Sequence, residues 1–327
     1  MPRPKVFIAR RIFQEAIDMI AAEADVDLWP DELPPPNETL LQKVANVDGL
    51  LCLLTDKVDA QLMDAAPNLR AISQIAVGFE NIDVEEATRR GIPVGYTPGV
   101  LTGTTADMAF ALLMAAARRL VEGAEAVKAG RWKTWHPLHY LGPDVFGSTL
   151  GILGMGRIGL EMAKRARGFD MPIIYYDVFR RPEEVEKQYN MTFAPLDTVL
   201  KESDFVSVHV NLTPDTYHLI GARELELMKS NSVLVNAARG PVIDPKALYY
   251  ALKDGQIGAA ALDVTEPEPI TMDDPLLTLD NCIIVPHIAS ASVPTRRRMS
   301  TMAAENLLAG LKGQPMPNCV NPEVYNL

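Results

Sequence analysis

Three polar residues in the second half of the chain each follow an apolar run. Arg239 comes after Val233-Leu234-Val235-Asn236, Glu268 a short loop after Ala261-Leu262-Asp263-Val264, and His287 after Ile283-Ile284-Val285-Pro286. If these runs are strands of an open parallel sheet, all three residues stand on the rim where such sheets bind ligands. A guanidinium grips a carboxylate with its planar fork, at roughly 1.5–3 kcal/mol per charge-assisted bond. An imidazole exchanges protons near neutrality, and a carboxylate beside it favours the imidazolium and fixes the ring. This set suits reduction of a 2-keto acid: Arg239 binds and polarises, hydride reaches the carbonyl carbon, and His287, paired with Glu268, protonates the oxygen. Singly, each residue also fits a bland role: a loop acid between prolines, a strand-end histidine, a turn-capping arginine. The case rests on the three together.

The hydride donor has its own signal. The apolar run 148–153 enters Gly154-Met155-Gly156-Arg157-Ile158-Gly159, and a helical pattern follows through Ala163 and Ala166. Gly154 permits the tight turn, Gly156 lets backbone approach a pyrophosphate, and Gly159 lets the helix opened by Arg157 and Ile158 pack on the sheet. Asp177 ends the next apolar run and would accept hydrogen bonds from an adenosine ribose. Its charge disfavours a 2′-phosphate, so NAD(H) is favoured. Arg180 and Arg181, just beyond, keep NADP(H) open.

These residues must be held by a regular frame. The chain has 327 residues, enough for two ordinary domains. Thirty-one basic against 42 acidic residues give a formal charge of −11, which argues against nucleic acid and anionic membrane as partners. Cys52, Cys282 and Cys319 are scattered, show no metal-ligand spacing and fit a reducing, cytoplasmic setting. No metal is expected. The opening residues lack a long apolar stretch, so no signal peptide is expected, and the longest apolar segment, 108–117, is too short to span a bilayer.

Strand-like and helix-like patterns alternate, which predicts parallel α/β architecture. Strands are predicted at 5–9, 25–28, 49–54, 71–75 and 93–95 in a first unit. A second unit follows the glycine motif, with strands at 173–176, 205–210, 232–236, 259–264 and 282–285, and a last long helix over about 295–311. Between them, 104–119 is helical in period yet apolar almost all round. It reads equally as a junction or subunit-interface helix and as an ordinary core helix. The stretch 132–147, with Trp132, Trp135, His136, His139 and Tyr140, breaks the periodicity and suggests a dimer arm. His209 reads as a core residue inside a strand, and His218 as a surface or turn residue.

At these motifs the chain resembles the D-isomer-specific 2-hydroxyacid dehydrogenase family, nearly end to end. The residues that carry the likeness are 154–159, Asn236-Ala237-Ala238-Arg239-Gly240, 262–269 and Pro286-His287-Ile288-Ala289-Ser290. The runs 94–102 and 307–313 are most similar to its glyoxylate/hydroxypyruvate reductase branch. The resemblance implies two doubly wound parallel-sheet domains, a Rossmann dinucleotide-binding domain at 100–287 inserted into a flavodoxin-like substrate domain at 1–99 and 288–327. It implies a site in the interdomain cleft. There Val77 and Gly78 offer backbone N–H groups to the substrate with Arg239 and His287. Thr105, Ala237, Asp263 and His287 join the glycine motif around the cofactor. It also implies a homodimer, paired through the cofactor domains and the aromatic arm. Ala289 stands where the family usually has glycine, Asn211 replaces a frequent proline, and His139 stands where part of the branch has a tryptophan. Val77 takes the place of the lysine of phosphite oxidisers. Other family enzymes, of phosphoglycerate or D-lactate type, and a dinucleotide-sensing corepressor are the alternatives.

Overall fold

The computed structural model describes residues 2–326. The chain divides into two compact units, Met1–Leu101 with Ala291–Leu327, and Thr102–Ser290.

The first unit contains β1 (Lys5–Ile8), α1 (Gln14–Glu23), β2 (Asp25–Leu28), α2 (Asn37–Val44), β3 (Gly49–Cys52), α3 (Ala60–Ala65), β4 (Ala71–Gln74), α4 (Val84–Arg89) and β5 (Val94–Gly95). Its sheet is parallel throughout, in the order β2-β1-β3-β4-β5, the flavodoxin-like arrangement. β3 is buried along its whole length, which explains its unbroken rather than alternating apolar run. Asp59 and Asp83 cap α3 and α4 by accepting from the backbone N–H groups of Leu62 and Glu86.

The second unit runs α5 (Thr102–Ala117), α6 (Leu120–Lys128), β6 (Leu150–Leu153), α7 (Arg157–Arg167), β7 (Ile173–Tyr176), α8 (Glu183–Tyr189), β8 (Met191–Phe193), α9 (Leu196–Glu202), β9 (Phe205–Val208), α10 (Ala222–Leu227), β10 (Val233–Asn236), α11 (Pro245–Lys253), β11 (Ala259–Leu262) and β12 (Cys282–Ile284). Its seven parallel strands lie in the order β12-β11-β10-β9-β6-β7-β8. The order reverses between β6 and β9, and that switch point is where a doubly wound sheet opens its ligand crevice. α5 packs on β10, β11 and α7, and its Ala109, Phe110, Leu113 and Ala117 enter the apolar core of this unit. The segment is therefore a core helix of the second unit, which accounts for apolar residues on nearly every side.

Some elements differ from expectation. α6, β8 and α9 were not singled out from the sequence. The strands predicted to reach Val264 and Val285 stop at Leu262 and Ile284. Cys52 is fully buried, whereas Cys282 is only half-buried.

α12 (Val293–Leu311) returns to the first unit, where Ala303, Ala304, Leu307 and Leu311 pack with Val6, Ile8, Leu51 and Ala71. It begins at Ser292, whose hydroxyl accepts from Thr295 N–H. The fully buried Asn306 donates to the Tyr96 carbonyl at 2.8 Å and accepts from Asn318 N–H at 3.0 Å. Asn306→Ala leaves both backbone groups without their partner. It is expected to destabilise the first unit by about 3 kcal/mol. Denaturant unfolding checks this, and a change below about 1 kcal/mol would contradict it.

Candidate active site

The glycine turn follows β6 at the switch point. Gly154 has φ +90°, and a Cβ there would lie 2.7 Å from the His209 carbonyl carbon. A Cβ on Gly159 would meet the Gly154 carbonyl oxygen at 2.2 Å, so only glycine allows α7 so close. Gly156 is different: a Cβ there meets nothing, and no side chain caps the α7 N-terminus it precedes. The turn thus offers open space above a helix N-terminus opened by Arg157 and Ile158, which fits the pyrophosphate of a dinucleotide. Asp177, directly after β7, accepts from Met155 N–H at 2.7 Å and from Phe179 N–H at 3.1 Å. Its carboxylate is fixed to the glycine turn itself. Thr105 is buried near the start of α5, and Ala237 is buried just after β10.

His209 lies beyond β9, not within it, at the switch point beside Gly154. Its Nε2 is 2.8 Å from Ser207 Oγ, and its Nδ1 is buried. Burial lowers this imidazole to about 4, so it stays neutral through physiological pH.

Arg239, Glu268 and His287 follow β10, β11 and β12, three adjacent strands. The Asn236 side chain shapes the first turn: its amide donates to the Arg239 carbonyl at 2.9 Å and its oxygen accepts from Ala238 N–H at 3.0 Å. A Cβ on Gly240 would sit 1.9 Å from the Thr265 carbonyl oxygen, so the arginine turn lies flush against the loop that leads to Glu268. His287 Nδ1 is 2.5 Å from Glu268 Oε1. Burial, the largest influence on Glu268, raises its carboxyl. The His287 hydrogen bond and charge, the Thr265 backbone and the Arg239 charge together bring it below the ordinary carboxylate value. An ionised carboxylate only accepts, so Nδ1 carries the proton in this pair. All three residues therefore act on one another at a single rim.

Asp263 does more than its position suggested. Its carboxylate, 1% exposed, accepts from Ile288 N–H at 2.7 Å and Ala289 N–H at 2.9 Å, while its carbonyl accepts from His287 N–H at 2.9 Å. These bonds hold His287 at φ +51°, a left-handed conformation unusual for a residue with a side chain. Ala289 itself is not left-handed, so alanine is accommodated where glycine was the family habit.

In the first unit, Val77 and Gly78 lie in the loop after β4 and are half-buried. Gln74 donates to the Gly78 carbonyl at 2.5 Å, and Asn81 donates to Gln74 Oε1 at 2.7 Å and to the Leu53 and Asp56 carbonyls. Gln74 and Asn81 were not singled out from sequence, because lone amides carry no motif. In the second unit Trp132, Trp135, Leu138, Leu141 and Phe146 are each at least 60% exposed, and His136 stacks on His139 at 4.0 Å between ring centroids. Among the described residues no cluster of His, Cys, Asp and Glu could hold a metal ion, and no helix is long and apolar enough to cross a membrane.

Comparison with known proteins fits this geometry. Residues 110–289 match the family described as D-isomer specific 2-hydroxyacid dehydrogenase, NAD binding domain. A glyoxylate reductase of Korarchaeum cryptofilum is 55% identical over 99% of this chain and 98% of its own. The crystal structure of the TT0316 protein of Thermus thermophilus is 43% identical, with a TM-score of 0.92 over 97% of this chain and 99% of that one. An NADPH-dependent glyoxylate/hydroxypyruvate reductase of Sinorhizobium meliloti, solved with NADP and malonate, is 31% identical with a TM-score of 0.86, covering 98% of each chain.

The neutral His209 has a stability consequence. Its folded value lies near 4 against an ordinary 6.5, so between these the unfolded chain takes up a proton that the folded chain refuses. Stability is full above about 6.5 and falls as pH drops through that window, by about 2 kcal/mol between pH 8 and pH 5. Denaturant titrations at the two pH values should show this loss shrinking in His209→Gln, and an identical loss in parent and variant would contradict the assignment.

Proposed function

The chain belongs to the D-isomer-specific 2-hydroxyacid dehydrogenase family, and from that premise we propose that it reduces small 2-keto acids, glyoxylate and hydroxypyruvate, to their 2-hydroxy acids with NAD(H). The observation that carries this reading is the 2.5 Å pairing of His287 with Glu268 on the strand rim, with the Arg239 charge acting on the same carboxylate. The 55% identity to a glyoxylate reductase supports the substrate class.

Arg239 binds the substrate carboxylate and polarises the ketone, with the Val77 and Gly78 N–H groups as further donors. NAD(H), when bound, supplies the hydride. Gly154, Gly156, Arg157, Ile158 and Gly159 receive its pyrophosphate, Asp177 its ribose, and Thr105, Ala237 and Asp263 its nicotinamide half. His287 keeps its Nδ1 proton toward Glu268 and delivers the Nε2 proton to the oxygen as it gains charge. Glu268 stabilises the imidazolium before transfer and holds the ring in register. Such proton transfer contributes about 10²–10⁴ in rate. The Asp177 carboxylate disfavours a 2′-phosphate, so NADH is the preferred donor. The exposed aromatic arm supports a homodimer, since an apolar surface of that extent marks an interaction site. Three thiols without disulfides support a cytoplasmic setting.

Steady-state kinetics on a panel of 2-keto acids with NADH and NADPH test the proposal. His287→Ala should lose about 10²–10⁴ in kcat with little change in KM, whereas Arg239→Ala should damage both. A histidine variant with parental turnover would overturn the proton-donor role, and preference for lactate-type or larger acids would move the substrate assignment. For the dimer, Trp135→Glu with Leu138→Glu should halve the mass measured by light scattering at micromolar concentration. An unchanged mass would remove the arm from the interface.

A further inference from the structure

The segment that follows Asp177 is tied down by a carboxylate that no cofactor contact explains. Glu186, on α8, is 6% exposed. It accepts from Arg180 Nε at 2.9 Å and Nη2 at 2.7 Å, a two-pronged pairing, and from the Tyr175 hydroxyl at 2.7 Å. Tyr175, fully buried in β7, is pushed up to about 12, first by burial and then by its bond to Glu186, so it keeps its proton and donates. The same hydroxyl accepts from Arg181 N–H at 2.8 Å, and the Arg181 guanidinium donates to the Met155 carbonyl inside the glycine turn. The Arg180 guanidinium also lies 5.9 Å from the centre of the Phe193 ring.

Both cations next to the ribose-binding acid are thus engaged by other groups, Arg180 by Glu186 and Arg181 by the carbonyl of Met155, the residue whose N–H Asp177 accepts. A 2′-phosphate at the Asp177 carboxylate would need a nearby guanidinium to offset like-charge repulsion. Arg180 stands three residues on from Asp177, with its side chain 61% exposed. We propose that Glu186 is a specificity-determining positioning residue: by holding Arg180 on its buried carboxylate it withholds that cation from a ribose 2′-phosphate and sets the preference for the unphosphorylated cofactor. This rests on Asp177 as the ribose acceptor. It adds a second determinant outside the loop that touches the nucleotide. A buried carboxylate is costly unless fully bonded, and here an arginine fork and a phenol complete it.

Calorimetric titration of the intact chain with 5′-AMP and with adenosine 2′,5′-bisphosphate reads the effect without turnover. Glu186→Gln should tighten the bisphosphate about tenfold, the scale of one charge-assisted contact, and leave 5′-AMP within about twofold. Adding Arg180→Ala to that variant should abolish the gain, and Arg180→Ala alone should change neither ligand. A purely structural Glu186 would move both ligands together. Unchanged bisphosphate affinity in Glu186→Gln, with 5′-AMP still bound, overturns the proposal. So does bisphosphate binding weakened selectively, with 5′-AMP unchanged, in Arg180→Ala alone, a reading that stands even if Glu186→Gln does not fold. An Asp177→Ala chain that binds 5′-AMP as tightly as the parent would remove the ribose reading itself, and the proposal with it.

Discussion

The arrangement at the strand rim hangs on one buried carboxylate. Asp263 leaves β11 and spends both oxygens on the backbone N–H groups of Ile288 and Ala289. That bond pair fixes the turn after β12 and, through it, the left-handed backbone of His287. The imidazole then meets Glu268 from a loop that Gly240 presses against the arginine turn. Burial pushes the Asp263 carboxyl above its ordinary value, while the two N–H donors and the His287 charge oppose the rise. Backbone donors are a rigid way to hold a charge in place, because they cannot rotate away as side chains do. The His287 imidazole, carried on a loop, therefore gains the precision of a residue on a strand.

Charge is managed locally in a chain that is acidic as a whole. The net charge of −11 would repel a carboxylate substrate, so cations are concentrated where they are used. Arg239 follows β10, and its charge acts on the Glu268 carboxylate. Around the glycine turn the opposite is done: Arg180 and Arg181 are engaged by Glu186 and a carbonyl, while Asp177 is pinned by two N–H groups. The same sheet thus holds Arg239 in the turn after β10 and keeps Arg180 and Arg181 bonded around the glycine turn.

The sequence was most legible where a backbone need restricts residue type. The glycine turn and the three polar residues after apolar runs correspond to observed local geometry. Alternation of strand and helix periods gave the parallel two-sheet architecture. What stayed hidden depends on contacts between distant residues. The bonds of Asp263 to 288 and 289, of Glu186 to Tyr175 and Arg180, and of Asn81 to the loop after β3 join segments whose spacing carries no period. His209 was misplaced because the β-branched pattern over 205–210 does not announce that its last two residues leave the sheet.

The first unit is assembled from both ends of the polypeptide. Its sheet face carrying Val6, Ile8, Leu51 and Ala71 is covered by α12, which is made after the whole second unit. During synthesis that greasy face leaves the ribosome early and waits while all of 102–290 is translated. The second unit, encoded as one unbroken stretch, has every strand it needs before the first is complete. Domains generally fold as they emerge, and exposed apolar surface in the interval invites aggregation. A nascent chain truncated before residue 293 would therefore carry a finished nucleotide fold beside an open, sticky half-domain, a natural client for a chaperone that shields apolar surface.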